Sequence, residues 1–124
     1  MKNDDIKGLN VKKGLSLVAN NKKLYIKLLN SFVSNAFCDQ LMEAIDSGDT
    51  EMVMRRAHAY KGVAGNMQMD EIYELSQTIE TIAKNGVPVR ATDAIVSRLI
   101  GATAETLESV RMLIDNPGLL DSLE

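Results

Sequence analysis

Apolar residues recur along this chain at intervals of three and four, with charged or polar residues between them, and that is the period of amphipathic helices. A first short segment runs from about Asn10 to Asn20, with Val11, Leu15 and Val18 at helical spacing. Asn20-Asn21 punctuates the chain, and a long helix is predicted from about Lys22 to Asp46, stopped by Ser47-Gly48. Its apolar positions are Tyr25, Leu28, Leu29, Phe32, Val33 and Ala36, then Phe37, Leu41 and Ile45. The stripe drifts around the axis in the second half, which predicts a bend or a change of neighbours. Asp49 is placed to cap a third helix over about Thr50 to Met67, and Asp70 to cap a fourth that carries Ile72, Leu75, Ile79 and Ile82 and ends at Asn85-Gly86. Thr92 or Asp93 is placed to cap the last helix, whose predicted stripe is Val96, Ile100, Thr103, Leu107, Val110 and Ile114 before Asn116-Pro117-Gly118. The pattern predicts an all-α fold: an antiparallel up-down four-helix bundle with a short extra N-terminal helix.

Composition narrows this picture. The 124 residues form one expected domain over 1–124, with a core from about 6 to 115 and a short C-terminal tail. The apolar stretches are broken by charges too often to span a membrane, and the opening Met1-Lys2-Asn3-Asp4-Asp5 lacks the apolar core of a signal peptide. Cys38 is the single cysteine, so no internal disulfide forms, and a cytoplasmic location is expected. A net charge of -3 speaks against a nucleic-acid partner, which needs a basic surface.

The third helix carries the candidate chemistry. At about 100° per residue, Val53, Ala57, Tyr60, Ala64 and Met67 fall on one side as a core-facing stripe. His58, Lys61, Gly62 and Gly65 fall on another side, so the one histidine of the chain is predicted to face solvent. Glycines inside a helix cost roughly 1 kcal/mol each relative to alanine. Two of them beside a histidine leave a flat surface on which a partner can bring a reactive group close to the imidazole. Lys61, one turn on, puts an ammonium near the ring, where it can neutralise a transferred phosphoryl oxygen. A plain surface histidine and glycines that admit close helix packing are the other readings of the same spacing. Met54 and Arg55 lie on roughly the same side: Met54 either seats a partner or packs at the helix edge, and Arg55 either guides an acidic partner or is a solvated side chain. Phe32 and Phe37 read as core, with an extended docking patch as the alternative, and Cys38 reads as a small buried residue. One histidine and scattered carboxylates make no metal constellation, and there is no Gly-rich phosphate loop after a strand and no partner histidine for a hydrolase. Without an ATP site the chain is expected to be no enzyme in its own right.

The run Ala57-His58-Ala59-Tyr60-Lys61-Gly62-Val63-Ala64-Gly65-Asn66-Met67 resembles the motif of the histidine phosphotransfer (HPt) domain family. Gly14-Leu15, the segment Leu24-Tyr25-Ile26-Lys27-Leu28-Leu29-Asn30-Ser31-Phe32, the turn Ser47-Gly48-Asp49 and the pair Ile79-Glu80 are similar to further family features in the same order, from about Ile6 to Ile114. The resemblance implies a phosphorelay intermediate in which His58 takes a phosphoryl group on Nε2 from the aspartate of a receiver domain, as on a hybrid sensor kinase, and passes it to a response regulator. It implies that Lys61 stabilises the phosphate and that Glu80 orients the imidazole through Nδ1. It also implies a monomer that needs no cofactor of its own, the Mg²⁺ for transfer being supplied by the receiver. A docking module that binds and inhibits a receiver without taking phosphate is the alternative, and the first domain of a larger kinase is a third reading. One position departs from the pattern: Gln68 stands where the family usually has glycine, so the end of the third helix is expected to differ.

Overall fold

The computed structural model describes residues 1–124 and contains six α-helices and no strand. They are α1 (Val11–Leu17), α2 (Lys22–Asn35), α3 (Phe37–Ser47), α4 (Thr50–Asn66), α5 (Asp70–Lys84) and α6 (Ala94–Asp115), with short 3₁₀ turns at Asn3–Asp5 and Pro117–Ser122. Helices α3 to α6 run up and down in turn, α2 extends α3 and closes against α6, and α1 is the extra N-terminal helix packed on α2. No helix is long and apolar enough to cross a membrane.

Where the side chains supply caps, the helix starts follow the sequence. The Asn10 side chain accepts a hydrogen bond from the Lys13 N–H, that of Asn21 from Leu24, and that of Asp49 from Glu51 and Met52. Two predicted caps are corrected. Asp70 is already helical, and the cap position is held by Met69, whose side chain is fully buried; anchoring in the core takes the place of a capping hydrogen bond. Asp93 does hold the cap position of α6, but its carboxylate turns back to accept the Arg90 N–H at 2.9 Å and caps no helical N–H.

The long second helix is two helices. The drifting stripe resolves at Ala36, which adopts a left-handed conformation (φ 49°, ψ 48°) and re-aims α3. A left-handed alanine costs roughly 1–2 kcal/mol. The break brings Phe37 into a stack with Phe32 and Tyr60, at centroid distances of 6.3 and 6.1 Å, and aromatic pairs of this kind offset a cost of that size. The Gln40 side chain also donates to the Asn35 carbonyl freed by the break, at 2.6 Å.

The core is one cluster that draws on every helix. All five stripe residues of α4 are buried. The stripe predicted for α6 needs correction, because Ile100 is 48 % exposed while Leu99, Ala102, Thr106 and Leu113 turn inward beside Val96, Thr103 and Val110. Ala102 and Thr106, small residues outside the predicted stripe, let α6 lie close to its neighbours, and Thr103 of that stripe shares a buried 2.7 Å hydrogen bond with the Tyr60 hydroxyl. Leu28 likewise sits at the surface, while Tyr25, Leu29 and Phe32 hold the core side of α2. Along the α3–α6 seam a groove of about 370 Å³ remains, lined by Phe37, Cys38, Met42, Ile100 and Leu107 among others.

The end of α4 is ordinary despite Gln68. The helix stops at Asn66, and Gln68 takes up the left-handed conformation (φ 59°) that glycine would otherwise supply. Its side-chain amide donates to the Gly65 carbonyl at 2.8 Å, which helps the residue hold that conformation.

The N-terminal segment is locked in place at Gly8, which has φ 89° and lies where a Cβ would fall 2.2 Å from the Thr106 hydroxyl and 2.8 Å from its Cα. Gly8→Ala is therefore expected to destabilise the fold by about 2–4 kcal/mol, combining a disfavoured φ with overpacking against backbone. Urea denaturation followed by circular dichroism measures this directly, and an unchanged midpoint would contradict the packing described.

Candidate functional site

Helices α4 and α5 form the most extensive pairing in the molecule and define the site. Ala57 and Ala64 of α4 are both fully buried, and small buried residues let helices approach closely. The turn between the helices is short, so they run antiparallel and residues near the middle of α4 face the far half of α5.

His58 stands on the open side of this pair with 68 % of its side chain exposed. Its Nδ1 lies 2.6 Å from Glu80 Oε2, and Lys61 Nζ lies 2.6 Å from Glu80 Oε1. One carboxylate thus uses its two oxygens on two different partners. Only 16 % of the Glu80 side chain and 23 % of that of Lys61 are exposed, so the pair lies in a shielded notch under a solvent-facing ring. Burial pushes the Glu80 carboxyl up, yet the hydrogen bonds from Lys61 and His58 outweigh it and hold its pKa below the ordinary value of 4.5. The hydrogen bond to Glu80 correspondingly raises Lys61 above the usual ammonium value. An ionised carboxylate accepts only, so Nδ1 carries the proton in this contact, and in the neutral imidazole Nε2 is the lone-pair nitrogen. Nε2 has no hydrogen-bond partner in the fold.

The two glycines differ. A Cβ at Gly62 would meet nothing within 4 Å, so the surface next to His58 is bare. At Gly65 a Cβ would lie 3.3 Å from the ring of Tyr73, so this position is covered by an aromatic side chain from α5. Tyr73 was not marked by the sequence pattern. The available signal was its spacing, seven residues before Glu80 on the same helix and hence on the same face. On the other side of α4 a hollow of about 550 Å³ is lined by Leu17, Leu28, Phe37, Val63 and Gly65. Leu17, at 60 % exposure, is the most open large apolar side chain of the molecule, and it too carried no mark in the sequence. Met54 is half-buried against the core, and Arg55 is exposed and paired with Glu51 at 2.7 Å one turn earlier on α4. Phe32 is buried and Phe37 half-buried, and burial pushes the half-buried Cys38 thiol up, away from thiolate chemistry. No three His, Cys, Asp or Glu side chains are arranged to hold a metal ion.

A helical pair that presents one exposed histidine above a shared carboxylate can offer its free ring nitrogen to an incoming group. The sequence model of the Hpt domain matches residues 34–114, and the chain belongs to that family, whose members are phosphotransfer modules of two-component signalling that work with receiver domains. In fold it is similar to the HPt domain of a sensor hybrid histidine kinase from Shewanella, with a TM-score of 0.75 and 16 % identity, over 87 % of this chain and 94 % of that one. No curated protein sequence matches it.

The sign of the Glu80 shift sets a pH dependence. A carboxyl whose folded pKa is depressed stabilises the site above its unfolded pKa, and that contribution is lost as pH falls through the folded value. Carbon-detected NMR of Glu80 is expected to give a midpoint below 4.5. Lys61→Ala, which removes one of the two donors, is expected to move that midpoint upward, and an unmoved midpoint would contradict the shared-carboxylate geometry.

Proposed function

We propose that the protein is a histidine-containing phosphotransfer protein that accepts a phosphoryl group on His58 Nε2 from a receiver-domain aspartate and delivers it to a response regulator. The observation that carries this reading is the exposed imidazole whose Nδ1 is tied to Glu80 while Nε2 faces solvent beside the bare Gly62.

In the forward step the Nε2 lone pair attacks phosphorus, and the N–P bond forms as the P–O bond of the acyl phosphate breaks. The bonding electron pair returns to the partner's aspartate as a carboxylate. The ring gains positive charge in this step, and Glu80, ionised and fixed at 2.6 Å from Nδ1, stabilises it and keeps the proton on that nitrogen. Lys61 leaves Glu80 Oε1 to meet the phosphoryl oxygens, which exchanges one anionic partner for another. Transfer onward to a second aspartate reverses each bond change. The Mg²⁺ that screens the phosphoryl charge belongs to the receiver, whose acidic residues suit a hard cation. The receiver docks over Gly62 and the apolar hollow that holds Leu17, Leu28 and Val63, and Met54 and Arg55 lie at the edge of that face. The protein acts as a cytoplasmic monomer that carries the group and performs no catalytic turnover of its own.

Incubation with receiver domains phosphorylated from radiolabelled acetyl phosphate in Mg²⁺ is expected to give a label that is acid-labile and alkali-stable. His58→Gln is expected to abolish it, and Lys61→Ala to slow its appearance about tenfold. A protein that binds a phosphorylated receiver and never takes label would overturn the relay reading in favour of a docking-only module.

A further inference from the structure

The Lys61–Glu80 pair raises a question that the relay alone does not answer: how a lysine at the surface is kept within reach of both Glu80 and the phosphoryl group. Lysine stems are flexible, and an unconfined ammonium spends most of its time in water. Yet the Lys61 side chain is 23 % exposed, well below that of His58 one turn away. Lys61 and Gly65 are one turn apart on the same face of α4, and Tyr73 and Glu80 are two turns apart on the same face of the antiparallel α5. Lys61 is therefore flanked by Glu80 on one side and by the Tyr73 ring on the other.

The ring is itself held in place. It rests where a side chain at residue 65 would otherwise stand, 3.3 Å from the position of a Cβ through both Cδ2 and Cε2. A glycine at that point in a helix costs stability relative to alanine, and the close approach of Tyr73 gives it a physical reason. Tyr73 is 38 % exposed and its hydroxyl has no hydrogen-bond partner within the protein, so its ring is held by packing alone, with Gly65 beneath it. Its phenol is close enough to the Lys61 ammonium to add to the rise in the lysine's pKa, after the larger effects of the Glu80 hydrogen bond and charge.

We propose that Tyr73, laid on the bare backbone of Gly65, is a positioning residue for the phosphoryl site, walling off the far side of Lys61 so that its ammonium alternates between Glu80 and the phosphohistidine. The proposal rests on the phosphotransfer reading and adds to it one residue and one helix glycine. It makes Gly65 and Tyr73 a unit: a methyl at 65 forces the ring to give by a few tenths of an ångström, and the ring fills the space that the glycine leaves.

The test has one arm that does not depend on transfer. In the unphosphorylated protein, ¹³C relaxation of the Lys61 Cε group is expected to report greater mobility in Tyr73→Ala than in the wild type, with Tyr73→Phe close to the wild type. The second arm uses a phosphorylated receiver that labels the wild-type protein, in single-turnover experiments across receiver concentrations. Tyr73→Ala is expected to slow the maximal transfer rate about three- to tenfold, with the half-saturating receiver concentration little changed, and Gly65→Ala to slow the maximal rate by a smaller factor. The effect of Tyr73→Ala is expected to vanish in a Lys61→Ala background, because a positioning residue has nothing left to position. Full additivity with Lys61→Ala, a change in half-saturation alone, or unaltered Lys61 mobility would each overturn the proposal. Tyr73→Leu, which still packs over Gly65 but removes the ring beside Lys61, replaces the alanine variant with the same expected outcomes if that one fails to fold. If no receiver labels the wild type, the relay reading falls, and the relaxation arm still decides whether Tyr73 confines the lysine.

Discussion

The carboxylate of Glu80 is the constraint on which the site depends. Two oxygens of one side chain hold a histidine and a lysine that belong to a different helix, both at 2.6 Å. That requires α4 and α5 to stand in one register, close enough for a glutamate to reach across. The register comes from the core. Ala57, Tyr60 and Ala64 on α4 and Ile72, Leu75 and Ile79 on α5 are buried, and a slip of either helix would expose part of that set. Packing on the inner side of the pair therefore sets the geometry on the outer side, with no metal or disulfide to help.

The rest of the bundle supports α4 in that position. Tyr60 is stacked against Phe32 and Phe37 and hydrogen-bonded to Thr103, so a single α4 side chain links α2, α3 and α6. The left-handed break at Ala36 belongs to the same arrangement, since an unbroken helix would carry Phe37 away from the stack. Leaving the Tyr60 hydroxyl buried and unpaired would cost free energy, and Thr103 supplies its partner from a position that a hydropathy pattern treats as neutral.

Much of the site was legible in the sequence because it lies within one helix. The spacing of His58, Lys61, Gly62 and Gly65 against the stripe of Val53, Ala57, Tyr60, Ala64 and Met67 fixes which residues face out, by helical geometry alone. The resemblance to the HPt family pointed across to Glu80, which local periodicity leaves as one of many helix carboxylates. Tyr73, Leu17 and Leu28 were not legible as part of this face. They come from other helices, and only packing decides which side of α5, α1 and α2 meets α4. The α6 stripe was misread at Ile100 for a related reason, since a close helix contact favours Ala102 and Thr106 over larger apolar residues.

The sequence by itself determined most of the helices, their order, the outward-facing histidine and the family, because these follow from period and a contiguous motif, whereas the break at Ala36 showed only as a drift of the stripe. The tertiary structure alone decided that Glu80 is shared between two partners, that Gly62 is open while Gly65 is covered, and that Gln68 adopts the left-handed conformation its position demands. Those outcomes depend on distances between separate helices. Such distances are set by side-chain volumes across the core, which no single stretch of the chain contains.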